Sequence, residues 1–394
     1  MDLKNTIEQL SEKYFNEVVK IRRHIHQNPE LSFQEFKTAK YIISLLENLG
    51  IKYKSGIAGN GIIAYLEGKN PTKKIIALRA DIDALPIEEQ NDVPYKSINT
   101  GVMHACGHDA HTASILGTIY ILNELKDSYE GTIKVIFQPA EEKLPGGAKL
   151  MIQEGALENP KPEFILAQHV YPELNTGKVG FKSGIYMAST DELYFTIKGK
   201  GGHAAMPEKI TNTVLIAAKI ITQLQDVPKE SPHDIPTVLT IGKVIANGAT
   251  NVVPNEVHLE GTFRTMDEIW RKKAHKIITE IATKIAENNG GSVEINIKNG
   301  YPVLENNQDT TQKAISFAQE FLGKENTEEL PLRMTAEDFA YYSQEIPATF
   351  YRLGTTNLNQ EYIPLHSSKF NIDENALRIG MGTMAYIALK YMTE

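Results

Sequence analysis

Apolar residues recur every three or four positions across residues 3–27, and again across 34–48, with charged residues between them. That period predicts two amphipathic helices lying on a core. The first stops at Asn28-Pro29, where proline has no N–H to continue the ladder, and the second closes at Gly50. Beyond Gly50 the pattern changes. "GIIAYLEG", "KIIALRA", "GTIKVIFQP" and "PEFILAQHV" are unbroken apolar runs between turn residues, as expected of strands covered on both faces in an α/β sheet. A helix starting near Ala110 falls among them. "LRADIDALP", "FQPAEEKLPGG" and "AQHVYP" each place polar residues just past such a run, where open α/β sheets gather their chemistry.

From about residue 184 the texture shifts again. "DELYFTIKGKGGHAAMP" alternates like a half-exposed strand; a helix follows at 209–226, strands at 236–246 and 255–265, a long helix at 267–289 and a strand at "SVEINIKNG". Strand–helix–strand–strand–helix–strand is the ferredoxin-like order. "YPVLENN" then leads back to a helix at 308–322, a strand at 348–354 and a closing helix at 373–392. The expected architecture is α/β, a mixed sheet flanked by helices. It is discontinuous over 1–183 and 299–394, with a smaller α+β domain inserted at 184–298.

The formal charge of −8, with no basic run, argues against nucleic acid or an anionic membrane as the main partner. No apolar run approaches the ~18 residues of a membrane span, and the N-terminal "MDLKNTIEQLSEKYF" lacks an apolar signal core. The single cysteine, Cys106, excludes an intrachain disulfide and fits a reducing compartment. A cytoplasmic protein is expected.

That cysteine stands in "VMHACGHDAHT", among three histidines and an aspartate. Cys106 and His108, two apart between small residues, can converge on a metal. A thiolate beside nitrogen and oxygen donors favours zinc, while carboxylates also admit manganese or cobalt. Alone, Cys-Gly-His is a weak signal, because a buried small cysteine beside unrelated histidines is commonplace. The rest of the chain reverses that weighting. Glu141-Glu142 are adjacent carboxylates after one strand, His169 follows the next, and His366 lies in the returning segment. Beside a cation one of the two glutamates can bind while the other accepts a proton. Cys106, His108, Glu142, His169 and His366 are five ligands, too many for one open zinc site and suited to two metals sharing a bridge.

"RADIDALP", "MHACGHDAHT", "FQPAEE", "GKGGHAAMP", "NVVPNEVHLEGTFR", "MTAEDFAYY" and "LHSSKF" together resemble the M20 metallopeptidase family. The likeness is strongest to its amidohydrolase branch of N-acyl-amino-acid, hippurate and auxin-conjugate hydrolases. It spans nearly the whole chain in order. The resemblance implies a zinc-peptidase-like domain with a ferredoxin-like lid that serves in dimerisation. It also implies the same five ligands with Cys106 as bridge, Glu141 as general base, and lid residue His203 as oxyanion donor, often supplied by a partner subunit. Asn251 and Arg264 would contact the substrate, Arg264 matching a carboxylate with paired N–H donors. Asp81 or Asp83 would orient a metal-binding histidine. His104, Asp109 and His111 are read as capping or supporting residues, with Asp109 as the cap of the helix at Ala110, and Glu337-Asp338 as support for the site. Where the family commonly has Leu-His-Ser-Pro, this chain has Leu365-His366-Ser367-Ser368, which loosens a turn and removes no ligand.

The implied activity is hydrolysis of N-acyl amino acids, with a dipeptidase or carboxypeptidase on the same metals as the alternative. An inactive metal-binding protein should have lost a ligand or the base, and none is missing. A redox role for Cys106 lacks a resolving cysteine.

Overall fold

The structure, a computed structural model, describes residues 2–357 and 362–394. The chain forms two compact units, one from Met1–Gly184, Glu305–Pro331 and Asp338–Glu394, the other from Ile185–Leu304 and Leu332–Glu337.

In the first unit, α1 (Leu3–Gln27) is capped by Asp2, whose side chain accepts from the Lys4 N–H at 3.1 Å. It buries Ile7, Val18, Ile21 and Ile25. Helix α2 (Phe36–Asn48) buries Ala39, Ile42 and Leu46 on one face. Strands β1 (Lys52–Ile57), β2 (Gly61–Glu67) and β3 (Ile75–Asp81) follow, then α3 (His108–Glu124), β4 (Thr132–Gln138), α4 (Gly147–Gln153), β5 (Ile165–Asn175) and β6 (Val179–Phe181). All of α3 is buried except Tyr120, Asn123 and Glu124, because it packs against α1 and the C-terminal helix as well as against β3. A helix with no solvent face needs apolar residues all round, which explains why its sequence lacks a clean 3.6-residue stripe.

The second unit contributes β7 (Asp191–Lys198), β8 (Gly202–His203), α5 (Thr213–Leu224), β9 (Thr237–Ile245), β10 (Val252–Val253), β11 (Glu256–Thr265), α6 (Glu268–Asn288) and β12 (Ser292–Asn299). Its four-stranded sheet runs β9-β11-β7-β12, antiparallel throughout, the ferredoxin-like βαββαβ arrangement. Alternate residues of β7 point inward, so Leu193, Phe195 and Ile197 join Ile216, Ile220, Trp270 and Ile278 of the helices in one core. The first helix is shorter than its sequence suggests. Pro207–Lys209 is a separate 3-10 turn, and α5 begins after Asn212, whose side chain accepts from the Leu215 N–H at 3.0 Å. Buried Asp191 receives Arg271 Nη2 at 2.6 Å and Nε at 2.9 Å, with His275 Nε2 at 2.7 Å, and so ties the first strand to α6.

The chain then returns to the first unit through α7 (Gln308–Leu322), β13 (Thr327–Glu329), α8 (Ala340–Glu345), β14 (Ala348–Thr356) and α9 (Asn375–Thr393). The eight-stranded sheet runs β1-β2-β4-β3-β5-β14-β6-β13. It is mixed: β4, β3, β5 and β14 are parallel to one another, while β1, β2 and β6 pair antiparallel with their neighbours toward this central set. Among the described residues no helix is long and apolar enough to cross a membrane.

Candidate metal centre

The turn into α3 carries the first donors. Gly107 adopts φ +83° as the residue preceding α3, a left-handed conformation that glycine takes without strain. The helix begins at His108, not near Ala110, so Asp109 lies inside its first turn and is not its cap. Its carboxylate Oδ2 instead receives Arg22 Nε and His26 Nδ1, both at 2.8 Å, and His26 Nε2 lies 3.1 Å from Glu89 Oε1. Burial opposes ionisation of Asp109, yet Arg22 and His26 outweigh it and hold the carboxyl far below the usual range. This buried network fixes the turn to α1.

The histidines divide by what their ring nitrogens touch. His108 Nδ1 lies 3.2 Å from Asp83 Oδ1, leaving Nε2 facing Asp81, Glu142 and Glu141 at 3.8, 3.9 and 4.0 Å. His169 Nδ1 donates to the Val170 carbonyl at 2.7 Å, which turns Nε2 toward Cys106 Sγ at 3.5 Å. His111 has both nitrogens engaged, Nδ1 with Asp81 Oδ1 at 2.5 Å and Nε2 accepting the Val170 N–H at 2.8 Å. Protein groups thus already occupy both of its nitrogens. His104 is buried with no hydrogen-bond partner among the described residues, and burial lowers its pKa to about 4, keeping it neutral.

His169 does not follow a strand as its sequence suggests. It sits within β5, paired with Arg352 of β14, and the strand runs on to Asn175. His366 takes φ +62°, and its N–H donates to the Ala105 carbonyl at 2.8 Å, bringing Nε2 within 3.2 Å of Glu142 Oε1.

Glu141 and Glu142 lie in the turn after β4. Three consecutive backbone N–H groups there end on carboxylates: Ala140 on Glu35 at 2.8 Å, Glu141 on Asp83 at 3.1 Å and Glu142 on Asp83 at 3.0 Å. Ser32 Oγ donates to Asp83 at 2.6 Å. Asp83 thus supports both His108 and the glutamate turn. Arg79 bridges Asp81 at 2.6 Å and Asp338 at 2.8 Å, and Asp338 also accepts from Gln138 and from the Ala148 N–H. Ser32, Glu35, Arg22 and His26 were not singled out from sequence, and the one available signal was the acid-rich, non-helical "PELSFQE".

Among the described residues donor atoms converge in several sets, which include Cys106–His108–His169, Cys106–Glu142–His366, His108–Glu141–Glu142 and Asp81–His108–His111. The first is wholly buried, and Cys106 belongs to two of these sets. Donors held at about 2.0–2.3 Å from one ion lie roughly 3–4 Å apart, the range spanned by the 3.2, 3.5 and 3.9 Å separations here. Among the described residues, His108 Nε2 and Glu142 Oε1 are buried without a hydrogen bond, a costly state unless another group satisfies them. The electrostatics agree. Burial works against an imidazolium at His108, but Asp81 and Asp83 overcome it and push its pKa up to about 10. Burial, with Glu142, Glu141 and Asp81, raises the Cys106 thiol well above its ordinary value. Surrounding negative charge drives the His108 shift and adds to burial at Cys106, and a bound divalent ion would reverse both by favouring thiolate and neutral imidazole. Burial already keeps His169 neutral, the form that ligates. The residues therefore fit a metal centre.

Within the second unit, His203 is exposed at the end of β8, where Nδ1 accepts the Ala205 N–H at 3.1 Å. It pairs with Val252, and the Ala204 N–H bonds to the Asn251 carbonyl at 3.0 Å, so His203 and exposed Asn251 are neighbours. Arg264, half-buried on β11, donates to the Met334 carbonyl at 3.0 Å.

A family model described as peptidase family M20/M25/M40 matches residues 77–390. An N-acyl-L-amino acid amidohydrolase of Geobacillus stearothermophilus is 40% identical over 303 residues, covering 76% of this chain and 81% of its own. Thermostable carboxypeptidase 2 of Saccharolobus solfataricus is 34% identical over 394 residues, covering 99% and 98%. Among solved structures, a dinuclear metal-binding peptidase of family M20 from Bacillus subtilis aligns with a TM-score of 0.84 at 34% identity, over 97% of this chain and 99% of its own.

Proposed function

This chain belongs to peptidase family M20/M25/M40 and is a hydrolase, and from that premise we propose that it cleaves the amide bond of N-acyl amino acids, releasing a carboxylic acid and a free amino acid. The observation that carries the reading is Cys106, whose thiol is common to two sets of converging donors. Cys106, His108, Glu142, His169 and His366 would hold two divalent ions with Cys106 between them, zinc by donor type and manganese or cobalt as alternatives. Bound there, the ions supply the positive charge that polarises a carbonyl and acidifies water.

The remaining steps belong to the chain. Glu141, at the edge of the donor cluster with its backbone N–H held by Asp83, accepts a proton from the attacking water and returns it to the leaving amine. Asp83 keeps His108 in the tautomer that exposes Nε2. His203 donates to the carbonyl oxygen as charge develops on it. Asn251 and Arg264 bind the amino-acid carboxylate, Arg264 through paired N–H groups. The first unit acts in this reading as catalytic domain, the inserted unit as lid and dimerisation domain, and the enzyme works in the cytoplasm as a homodimer or higher homo-oligomer.

The Glu141→Gln variant tests the assignment. Its metal content should match the unaltered enzyme, while turnover falls by roughly 10²–10⁴. Near-normal activity in a metal-loaded variant would sink the base assignment. A panel of N-acetyl and N-benzoyl amino acids and dipeptides tests the substrate, and cleavage of dipeptides alone would move the reading to a carboxypeptidase or dipeptidase.

A further inference from the structure

Glu35 is fully buried, and its carboxylate does not serve the helix it precedes. The free N–H groups at the start of α2 are taken by Glu30, which accepts from Lys37 at 2.8 Å and from Thr38 at 2.8 Å. Glu35 Oε1 instead accepts from the backbone of Phe33 at 2.9 Å and Ala140 at 2.8 Å, while Oε2 accepts from Asn60 Nδ2 at 3.0 Å. Both backbone partners have positive φ, +68° at Phe33 and +52° at Ala140, a conformation that side-chain-bearing residues hold only when neighbours over-determine it. Ala140 is pinned on its other side as well, its carbonyl receiving the Gly147 N–H at 2.9 Å. The next residue is Glu141.

We propose that Glu35 is a positioning residue for catalysis, which holds Ala140 in its left-handed conformation and so sets where the Glu141 carboxylate points. The inference rests on the reading of Glu141 as general base. Ser32, three residues earlier, holds Asp83, which takes the next two N–H groups. The segment Ser32–Glu35 is thereby the mould on which the glutamate turn is cast. What Glu35 must supply is an acceptor of the right reach, not a negative charge.

The test compares Glu35→Ala, Glu35→Gln and Glu35→Asp on zinc-loaded enzyme. The readouts are kcat and KM on the best-turned-over N-acetyl amino acid, metal content by atomic emission, and urea midpoint. Misplacing a catalytic group by about 1 Å costs on the order of a hundredfold. E35A should therefore lose kcat by roughly that factor, with KM and metal stoichiometry unchanged. E35Q, whose amide oxygen can still accept from Ala140 and Phe33, should recover most of kcat. E35D, one methylene short, should not. If E35A does not fold, the Gln and Asp variants decide alone. Equal kcat in all folded variants, recovery by Asp and not Gln, or a loss of metal that accounts for the whole loss of rate would each overturn the proposal. Glu141→Gln, measured alongside, separates the two ideas. If E141Q stays active, the base reading fails whatever Glu35 does. If E141Q is inactive and E35A is not, only the positioning role fails.

Discussion

Gly107 separates two proposed metal donors, and replacing it with alanine should cost stability and metal binding for two separable reasons. Its φ of +83° is left-handed, which for a residue with a Cβ costs about 1–2 kcal/mol. The added carbon would also lie 2.5 Å from Val170 Cγ2, short of the 3.0 Å below which Cβ contacts are essentially never found. Val170 is buried, so its side chain or the turn must give by about half an ångström, and overpacking of that kind costs roughly 1–3 kcal/mol. Together the expected loss for G107A is about 2–5 kcal/mol. Because Cys106 and His108 flank the moving residue, affinity for metal should fall with it. Gly101 isolates the first cost, since it has φ +75° and nothing within 4 Å of an added Cβ; G101A should lose only about 1–2 kcal/mol. Val170→Ala isolates the second. In a double-mutant cycle, G107A and V170A should be less destabilising together than their separate effects predict, by about 1–3 kcal/mol. The assays are urea unfolding followed by far-UV circular dichroism, and zinc retention against a chelator. Wild-type stability and zinc retention in G107A, or no coupling in the cycle, would refute the steric account.

Cys106→Ala removes a donor from two clusters at once, so metal stoichiometry by atomic emission should fall from two ions to one or none; two tightly held ions would refute the shared thiolate. His203→Ala should lower kcat by roughly 10²–10³ while leaving the urea midpoint unchanged, since the ring is exposed and its hydrogen bond from the Ala205 N–H is local; unchanged kcat would remove it from the mechanism. In the second unit, Asp191→Asn breaks a buried pairing with Arg271 and His275, and should cost about 3 kcal/mol near neutral pH. Burial opposes ionisation of Asp191, but His275 and Arg271 hold its folded pKa low. Its stabilisation is thus complete above the unfolded value of about 4 and is lost as pH falls further. The gap between wild type and D191N, followed by the fluorescence of Trp270, the chain's single tryptophan and a member of the same core, should close below about pH 4; a gap constant down to pH 2 would contradict the linkage.

Helix periodicity and apolar strand runs made most elements legible, because α1, α2 and α7 show one face to solvent and the sheet is covered on both sides. The proposed donors stood out for a different reason. Cys106, Glu141-Glu142 and His366 are residue types that seldom cluster without chemistry, and they stand beside recognisable turns. Position within an element was harder to read. His169 looked like a strand-end residue because "AQHVYP" contains a proline, yet pairing with β14 carries β5 past it. That partner strand lies far away in sequence. Asp109 looked like a cap because caps are local and common, whereas its true partners, Arg22 and His26, sit on another helix. Glu35 and Ser32 stayed hidden for the same reason. A carboxylate that holds someone else's backbone leaves no periodic trace in its own segment.

The pairing of β5 with β14 also imposes a chronology. His169 leaves the ribosome with its strand, but the neighbour that lies along it, residues 348–356, is made some 175 residues later. At translation rates of about 5–20 residues per second, that edge of the sheet waits roughly 10–35 s for its partner. The inserted unit, whose four sheet strands are contiguous between residues 191 and 299, can close during the interval. His366, the last of the proposed donors, follows that partner strand in the chain. The nascent chain therefore cannot bring its proposed donors together before the strand that completes the neighbourhood of His169 has also been made.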